Sequence, residues 1–276
     1  MNKSNAVSIM LFLFAVAPVS ARVYYSDGGV HNFTTQTHES IGIENGTTIN
    51  IGDSVVVTLT REAHYSTTYV GSYYGTGPTN YLNLSGSGQL LFSQEMHLSL
   101  CDGTEAGVID MSGTSYMNPS GLSVGQRGDS LFSITDDATL EIRADGTLYT
   151  PAFSVGNNHY GYDLTGTFDQ SGNASVTSVG SGLNLGGSNT GIYNMSGGTL
   201  TLGDAINIGG ADDEFNFSEG TIKMAGNHLP WDSTQPQFNV LGSPYSETYD
   251  GGTDTTTLYI PGCTVIGTIV ELDDPM

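Results

Sequence analysis

The chain has 276 residues, with 38 glycines, 28 aspartates and glutamates, only six lysines and arginines, and a formal charge of −22. So few cations exclude the basic patch that a phosphate backbone or an anionic membrane surface requires, so nucleic acid is not expected as a partner. High glycine with only 12% charged residues is unlike a helical enzyme and suits a turn-rich all-β protein, while 37% hydrophobic residues suffice to line a core.

Residues 1–21 place Lys3 before the apolar run Ile9-Met10-Leu11-Phe12-Leu13-Phe14-Ala15-Val16-Ala17, then Pro18 and the small residues of Val19-Ser20-Ala21. This is the pattern of a secretory signal peptide cleaved after Ala21. Cleavage would remove Lys3 and no carboxylate, taking the charge from −22 to −23. The remainder contains no run of about 18 apolar residues, so no membrane span is expected after signal removal and the protein is expected outside the cell or on its surface.

Residues 22–79 are expected to form an N-terminal cap and the first strands, with the alternating Val55-Val56-Val57-Thr58-Leu59 and the tyrosines Tyr65, Tyr69, Tyr73 and Tyr74. From residue 80 to 225 two short words alternate. The first is apolar, small polar, apolar, Ser or Thr, then often Gly: Leu82-Asn83-Leu84-Ser85-Gly86, Ile109-Asp110-Met111-Ser112-Gly113, Tyr162-Asp163-Leu164-Thr165-Gly166 and Tyr193-Asn194-Met195-Ser196-Gly197. Degenerate copies begin at Phe132 and Phe215. The second word is Leu122-Ser123-Val124-Gly125, Phe153-Ser154-Val155-Gly156, Leu183-Asn184-Leu185-Gly186 and Ile206-Asn207-Ile208-Gly209, with Ile49-Asn50-Ile51-Gly52 as an earlier instance.

Period-two alternation turns one side of each word inward, and glycine supplies the corners. The unit Gly191 to Gly210 divides into three short strands, Ile192 to Met195, Leu200 to Leu202 and Ala205 to Ile208. A unit this short cannot bury its own inner face, so it must stack on its neighbours. The expected fold is an all-β, right-handed parallel β-helix, a solenoid of about six or seven coils at roughly 20 to 25 residues each, with irregular N- and C-terminal caps. Leu84, Met111, Ile134, Leu164, Met195 and Phe217 fill one slot of the first word and are expected to form one inward column. Residues 226–276, with Pro230, Trp231, Pro236, Pro244 and Pro261, are expected to form the C-terminal cap.

The stretches YNMSGGTLTLGDAINIGG and LSVGQRGDS resemble the repeats of exported bacterial surface proteins, those with autotransporter-associated or PEP-CTERM-type β-strand repeats on a pectin-lyase-like β-helix. Residues 226–276 do not show the C-terminal helix with a sorting motif found in such proteins, so no anchor of that kind is expected from them. The resemblance implies a passenger-like, secreted or loosely attached protein.

Reactive groups are few. Cys101 and Cys263 permit one disulfide in an exported protein; as two free thiols they would instead serve as small hydrophobes. Asp136-Asp137 and Asp212-Asp213-Glu214 fall at turns; calcium is the ion such oxygens would take, but the equivalent turn Gly186 to Ile192 has no carboxylate, so these read as solvated acidic turns and no cofactor is expected. The six histidines show no metal spacing. Arg127-Gly128-Asp129-Ser130 spells an adhesion tripeptide within a variable turn. Arg127, Arg143, His159 and Lys223 occupy unlike points of the repeat, so no catalytic residue is assigned. The expected function is that of a non-enzymatic structural or adhesion-type surface protein, with an extracellular glycan or surface matrix as partner. The alternative is a polysaccharide lyase or hydrolase on the same fold, which would need a cation and carboxylates converging in one cleft.

Overall fold

The computed structural model describes residues 23–60, 67–71, 77–92, 97–100, 106–125, 129–143, 153–156, 164–187, 189–231 and 237–262. All regular elements among them are strands. Strands β1 (Val23–Tyr25), β2 (Val30–Asn32) and β3 (Gln36–His38) make a first rung, and β4 (Ile41–Ile43), β5 (Thr48–Ile51) and β6 (Val56–Leu59) a second. The third holds β7 (Thr67–Val70), β8 (Asn80–Leu84) and β9 (Gln89–Phe92), and the fourth β10 (His97–Leu100), β11 (Gly107–Met111) and β12 (Tyr116–Met117). The fifth holds β13 (Gly121–Val124), β14 (Ser130–Ile134) and β15 (Thr139–Ile142). Three further rungs pair a short with a long strand: β16 (Phe153–Val155) with β17 (Thr165–Ser178), β18 (Leu183–Leu185) with β19 (Thr190–Leu202), and β20 (Ile206–Ile208) with β21 (Glu214–Ala225). Strands β22 (Phe238–Val240), β23 (Ser246–Asp250) and β24 (Thr255–Ile260) follow.

The first strand of every rung joins an eight-stranded parallel sheet, β1-β4-β7-β10-β13-β16-β18-β20. The others form a second sheet with two halves, the front half β2-β5-β8-β11-β14-β17 and the side half β3-β6-β9-β12-β15-β17, bridged by the bent β17. This is a parallel β-helix, as the repeat predicts, with eight rungs and in-register parallel strands already from Val23. The first strands of residues 22–79 are thus already rungs of the solenoid.

Two of the words sit differently from their reading. Ile49-Asn50-Ile51 pairs with Leu82-Asn83-Leu84 in the front half, so it is a first word. The short sheet is instead continued towards the N-terminus by Ile41-Gly42-Ile43 and Tyr24. The two words share one alternation, and positive-φ glycines follow both, Gly86 and Gly113 at 55° and 69° after the first and Gly125 and Gly156 at 76° after the second, so strand pairing assigns a copy to its sheet. The second difference is Leu164, which does not join the inward column. Ile134 pairs with Gln170 and Gln170 with Met195, giving Leu84, Met111, Ile134, Gln170, Met195 and Phe217. The copy in that rung is Phe168-Asp169-Gln170-Ser171-Gly172, disguised by a polar residue in an apolar slot.

The neighbouring inward column ends in aromatics. Phe132, Phe168, Tyr193, Phe215 and Phe238 stack with ring centroids 4.8, 4.7, 4.7 and 5.1 Å apart, nearly parallel. That spacing is the separation of hydrogen-bonded strands, so rung stacking imposes ring stacking. Each such ring contributes about 1.5–3 kcal/mol by burial. The expected break between Met195 and Leu200 is a bend within β19, where the register against β21 shifts near Ser196. Corners stack backbone on backbone: Gly113 has φ 69°, and a Cβ there would lie 2.9 Å from the Gly86 backbone.

The ends close differently. At the C-terminal end β22 adds one more parallel strand to the front half, while on the side half β24 runs antiparallel to β21 and stops the parallel stacking, and β23 presents Glu247 and Asp250 along the outer edge. Trp231 packs edge-on against Phe238 beneath this hairpin. At the N-terminal end Tyr25, Phe33 and His38, one after another in ring contact, lie over the core.

Candidate functional face

The outer surface of the front half carries two columns that parallel strands hold in line. One is a polar ladder that includes Asn32, Asn50, Asn83, Asp169, Asn194, Asn216 and Asn239. The Asn50 amide donates to Asn32 and the Asn83 amide to Asn50, both at 2.9 Å; Asn194 donates to Asp169 at 2.8 Å, Asn216 to Asn194 at 2.9 Å and Asn239 to Asn216 at 2.8 Å. Asn50 and Asn194 each spend one N–H and one lone pair on their ladder neighbours and retain one of each for a ligand, whereas Asn216 gives its second N–H to Glu214 at 3.2 Å. In the middle of the ladder Asp110 takes a hydrogen bond from Ser133.

The other column is largely apolar: Tyr81, Val108, Leu131, Thr167 and Ile192 lie side by side in register. Tyr81 is 38% exposed. A shallow trough of about 350 Å³ runs over Tyr81, Val108, Leu131 and Thr167, and Thr165 connects it to a second trough of about 450 Å³ at the corner formed by Asn189, Gly210 and Asp212.

This corner is built by side chains that replace strand hydrogen bonds. Asn80 accepts from the amides of Gly46 and Thr47 at 2.9 and 3.2 Å, Asp129 from Thr165 at 2.9 Å, and Asn189 donates to the Gly125 carbonyl at 3.0 Å. Asp213, 2% exposed, accepts from Gly191 at 2.8 Å and from Gly210 at 2.5 Å. It is therefore a buried corner pin, unlike the solvated turn residue expected; Asp212 beside it is exposed. Asp129 of the adhesion-like tripeptide is likewise engaged by the backbone, and Ser130 is buried.

The lysine and arginine among the described residues lie elsewhere. Arg143 follows β15, and Lys223 pairs through Thr201 and Thr177 with Glu141 on the side half, three strand spacings or roughly 14 Å away. Beside Arg143, the Tyr116 hydroxyl donates to Glu141 at 2.5 Å. Burial, then this bond and the Glu141 charge, push the phenol up to about 12, against the opposing charge of Arg143. Such a phenol supplies no base near neutral pH. Arg127 and His159 lie outside the described residues, as do Cys101 and Cys263. Among the described residues no three His, Cys, Asp or Glu side chains are grouped to hold a metal ion, and no helix is long and apolar enough to cross a membrane.

The fold and this face define the class: a parallel β-helix with an amide-laddered lateral surface. Comparison with protein-family models, curated proteins and solved structures gave no match.

Proposed function

We propose that the protein is a secreted or cell-surface, non-enzymatic β-helix of structural or adhesion type, and that its front face holds an extended, uncharged glycan of an extracellular matrix. The observation that carries this reading is the pairing of the two columns. Asn83, Asp110, Ser133, Asp169 and Asn194 place hydrogen-bonding side chains at the strand spacing beside Tyr81 and an aliphatic strip, and a polyhydroxylated chain offers the same two chemistries in alternation. The charge of the chain opposes an acidic polymer. The signal-like N-terminus and the resemblance of the repeats to those of exported bacterial surface proteins support the location.

A glycan-array screen of residues 22–276, followed by titration of the best ligand, tests this. Neutral oligosaccharides should bind without being shortened, and Tyr81→Ala should weaken them about tenfold, as loss of one stacking contact worth about 1.4 kcal/mol implies. Absence of any glycan ligand would refute the reading. Shortening of pectin or alginate, abolished by Arg143→Ala, would replace it with the lyase.

A further inference from the structure

Among the described residues few buried polar side-chain atoms lack a hydrogen-bond partner, and three of the residues that carry one lie in the first three rungs. Both ring nitrogens of His38, and the hydroxyls of Ser40 and Thr68, are buried without a hydrogen-bond partner. His38 is the extreme case. It is 6% exposed, stands opposite Leu59 in the β3–β6 pairing, and has its ring 5.9 Å from Phe33. Phe33 in turn packs on Tyr25, so His38 is tied to all three strands of the first rung, each only three residues long.

We propose that His38 is an acid-sensitive latch: protonation of its ring releases β1, β2 and β3 from the stack and bares the edges of β4, β5 and β6. A neutral imidazole in this slot leaves one donor and one acceptor unsatisfied, whereas an imidazolium would bury a full charge, which costs more. The strands it secures offer little resistance. Among the described residues each pairs with one neighbouring strand over three residues, and short elements at the edge of a stack open locally before the rest of a fold. The bared edges would be templates for strand addition by another chain.

Among the described residues, the ionisable groups of the first rung are few. Tyr25 on β1 is held above the usual phenol range by burial. His31 on β2 bonds Asp27 at 2.9 Å, and this contact lowers the Asp27 carboxyl. That pair strengthens as His31 gains a proton, so it opposes the latch and fails only when Asp27 itself is protonated. Glu39 adjoins His38 in the chain, and Glu44 follows β4, where it accepts from Tyr69. The facing strand β6, Val-Val-Thr-Leu, has no ionisable group. Burial lowers the His38 ring below the ordinary histidine value. The sign follows: local stability is complete above that ordinary value and is lost as pH falls through it, until the folded-state value is passed.

Hydrogen exchange of the full chain, corrected for the intrinsic pH dependence of exchange, reads the opening directly. Between pH 6.5 and 5.5 protection of residues 23–38 should fall severalfold, at most about tenfold for one proton, while β11, β14 and β19 hold theirs. His38→Leu should abolish the pH dependence. Unchanged protection of residues 23–38 in the wild type, or an equal loss in His38→Leu, would overturn the proposal. Should His38→Leu not fold, an NMR titration of the wild-type His38 ring decides: the latch requires it to titrate below the ordinary histidine value, and an ordinary midpoint refutes it.

Discussion

The hydroxyl of Tyr193 donates to Oε1 of Gln170 at 2.6 Å inside the solenoid, where both side chains are essentially inaccessible. Burial holds the Tyr193 phenol well above its usual range, so it stays protonated as a donor. The Gln170 amide nitrogen donates to the carbonyls of Ala174 and Thr199, both at 3.0 Å. One glutamine thus ties the bend of β17 to the bend of β19. The pair is satisfied from within, which lets a polar residue occupy an apolar column.

Breaking that pair from either side should be costly, but unequally. Tyr193→Phe orphans one acceptor and should lower stability by about 1–3 kcal/mol. Gln170→Leu orphans the phenol and two carbonyls and should cost more. The double variant should cost less than the two single losses together, because the shared bond is lost only once. Urea melts of the four proteins measure this, and strict additivity would show that the two residues do not act as a pair.

The corrected column gives a sharper comparison. Met195 is 1% exposed within it, whereas Leu164 lies outside it and is only partly buried. Met195→Ala should cost about 2–5 kcal/mol, as truncation of a packed core side chain does. Leu164→Ala should cost clearly less, and Met195→Asp should prevent folding, since no partner is available for its charge. Equal losses for the two alanine variants, measured by urea denaturation, would contradict the register through Gln170.

Much of the architecture was legible because alternation is a local property. The second word at Leu122, Phe153, Leu183 and Ile206 lies where its pattern places it, in one sheet. Gln170 was not legible, because its partner sits a whole rung away and nothing local marks a glutamine as buried. Ile49-Asn50-Ile51 failed for the opposite reason: its local pattern fits either sheet, and only pairing decides. The face had a partial signal, since Asn83, Asn194 and Asn216 share one slot of the word. The strip from Tyr81 to Ile192 had none, because its residues precede the word and vary in type.

Asp213 should matter more than its exposed neighbour. Asp213→Ala removes the acceptor from two corner amides and should cost about 1–3 kcal/mol, with Asp213→Asn in between. Asp212→Ala should stay within about 0.5 kcal/mol of wild type, as is usual for exposed positions. Gly186→Ala tests the same corner from below, since its φ is 73° and its Cβ would collide with the Asp213 carboxylate. Thermal midpoints that rank Asp212→Ala with Asp213→Ala would dismiss the corner pin.

The ladder supplies a prediction in pH. Asp110 stands in register between Asn83 and Ser133, and crowding by the ladder raises its carboxyl above the usual range, only partly offset by the Ser133 hydroxyl that donates to it. A carboxyl raised on folding binds protons more readily in the folded chain. Its contribution is therefore complete below the unfolded value, near pH 4, and is lost as pH rises through the folded value. At neutral pH the charged Asp110 is a small liability, small because its tip remains exposed to water. Asp110→Asn removes that liability and extends the run of amides from Asn83, so the variant should melt slightly above wild type at pH 7. The advantage should shrink as pH falls, and at pH 3 the two should converge. Melting curves across this range check the sign: an advantage that grows on acidification would mean that Asp110 is stabilised as the carboxylate, and the ladder would then be a site that favours negative charge.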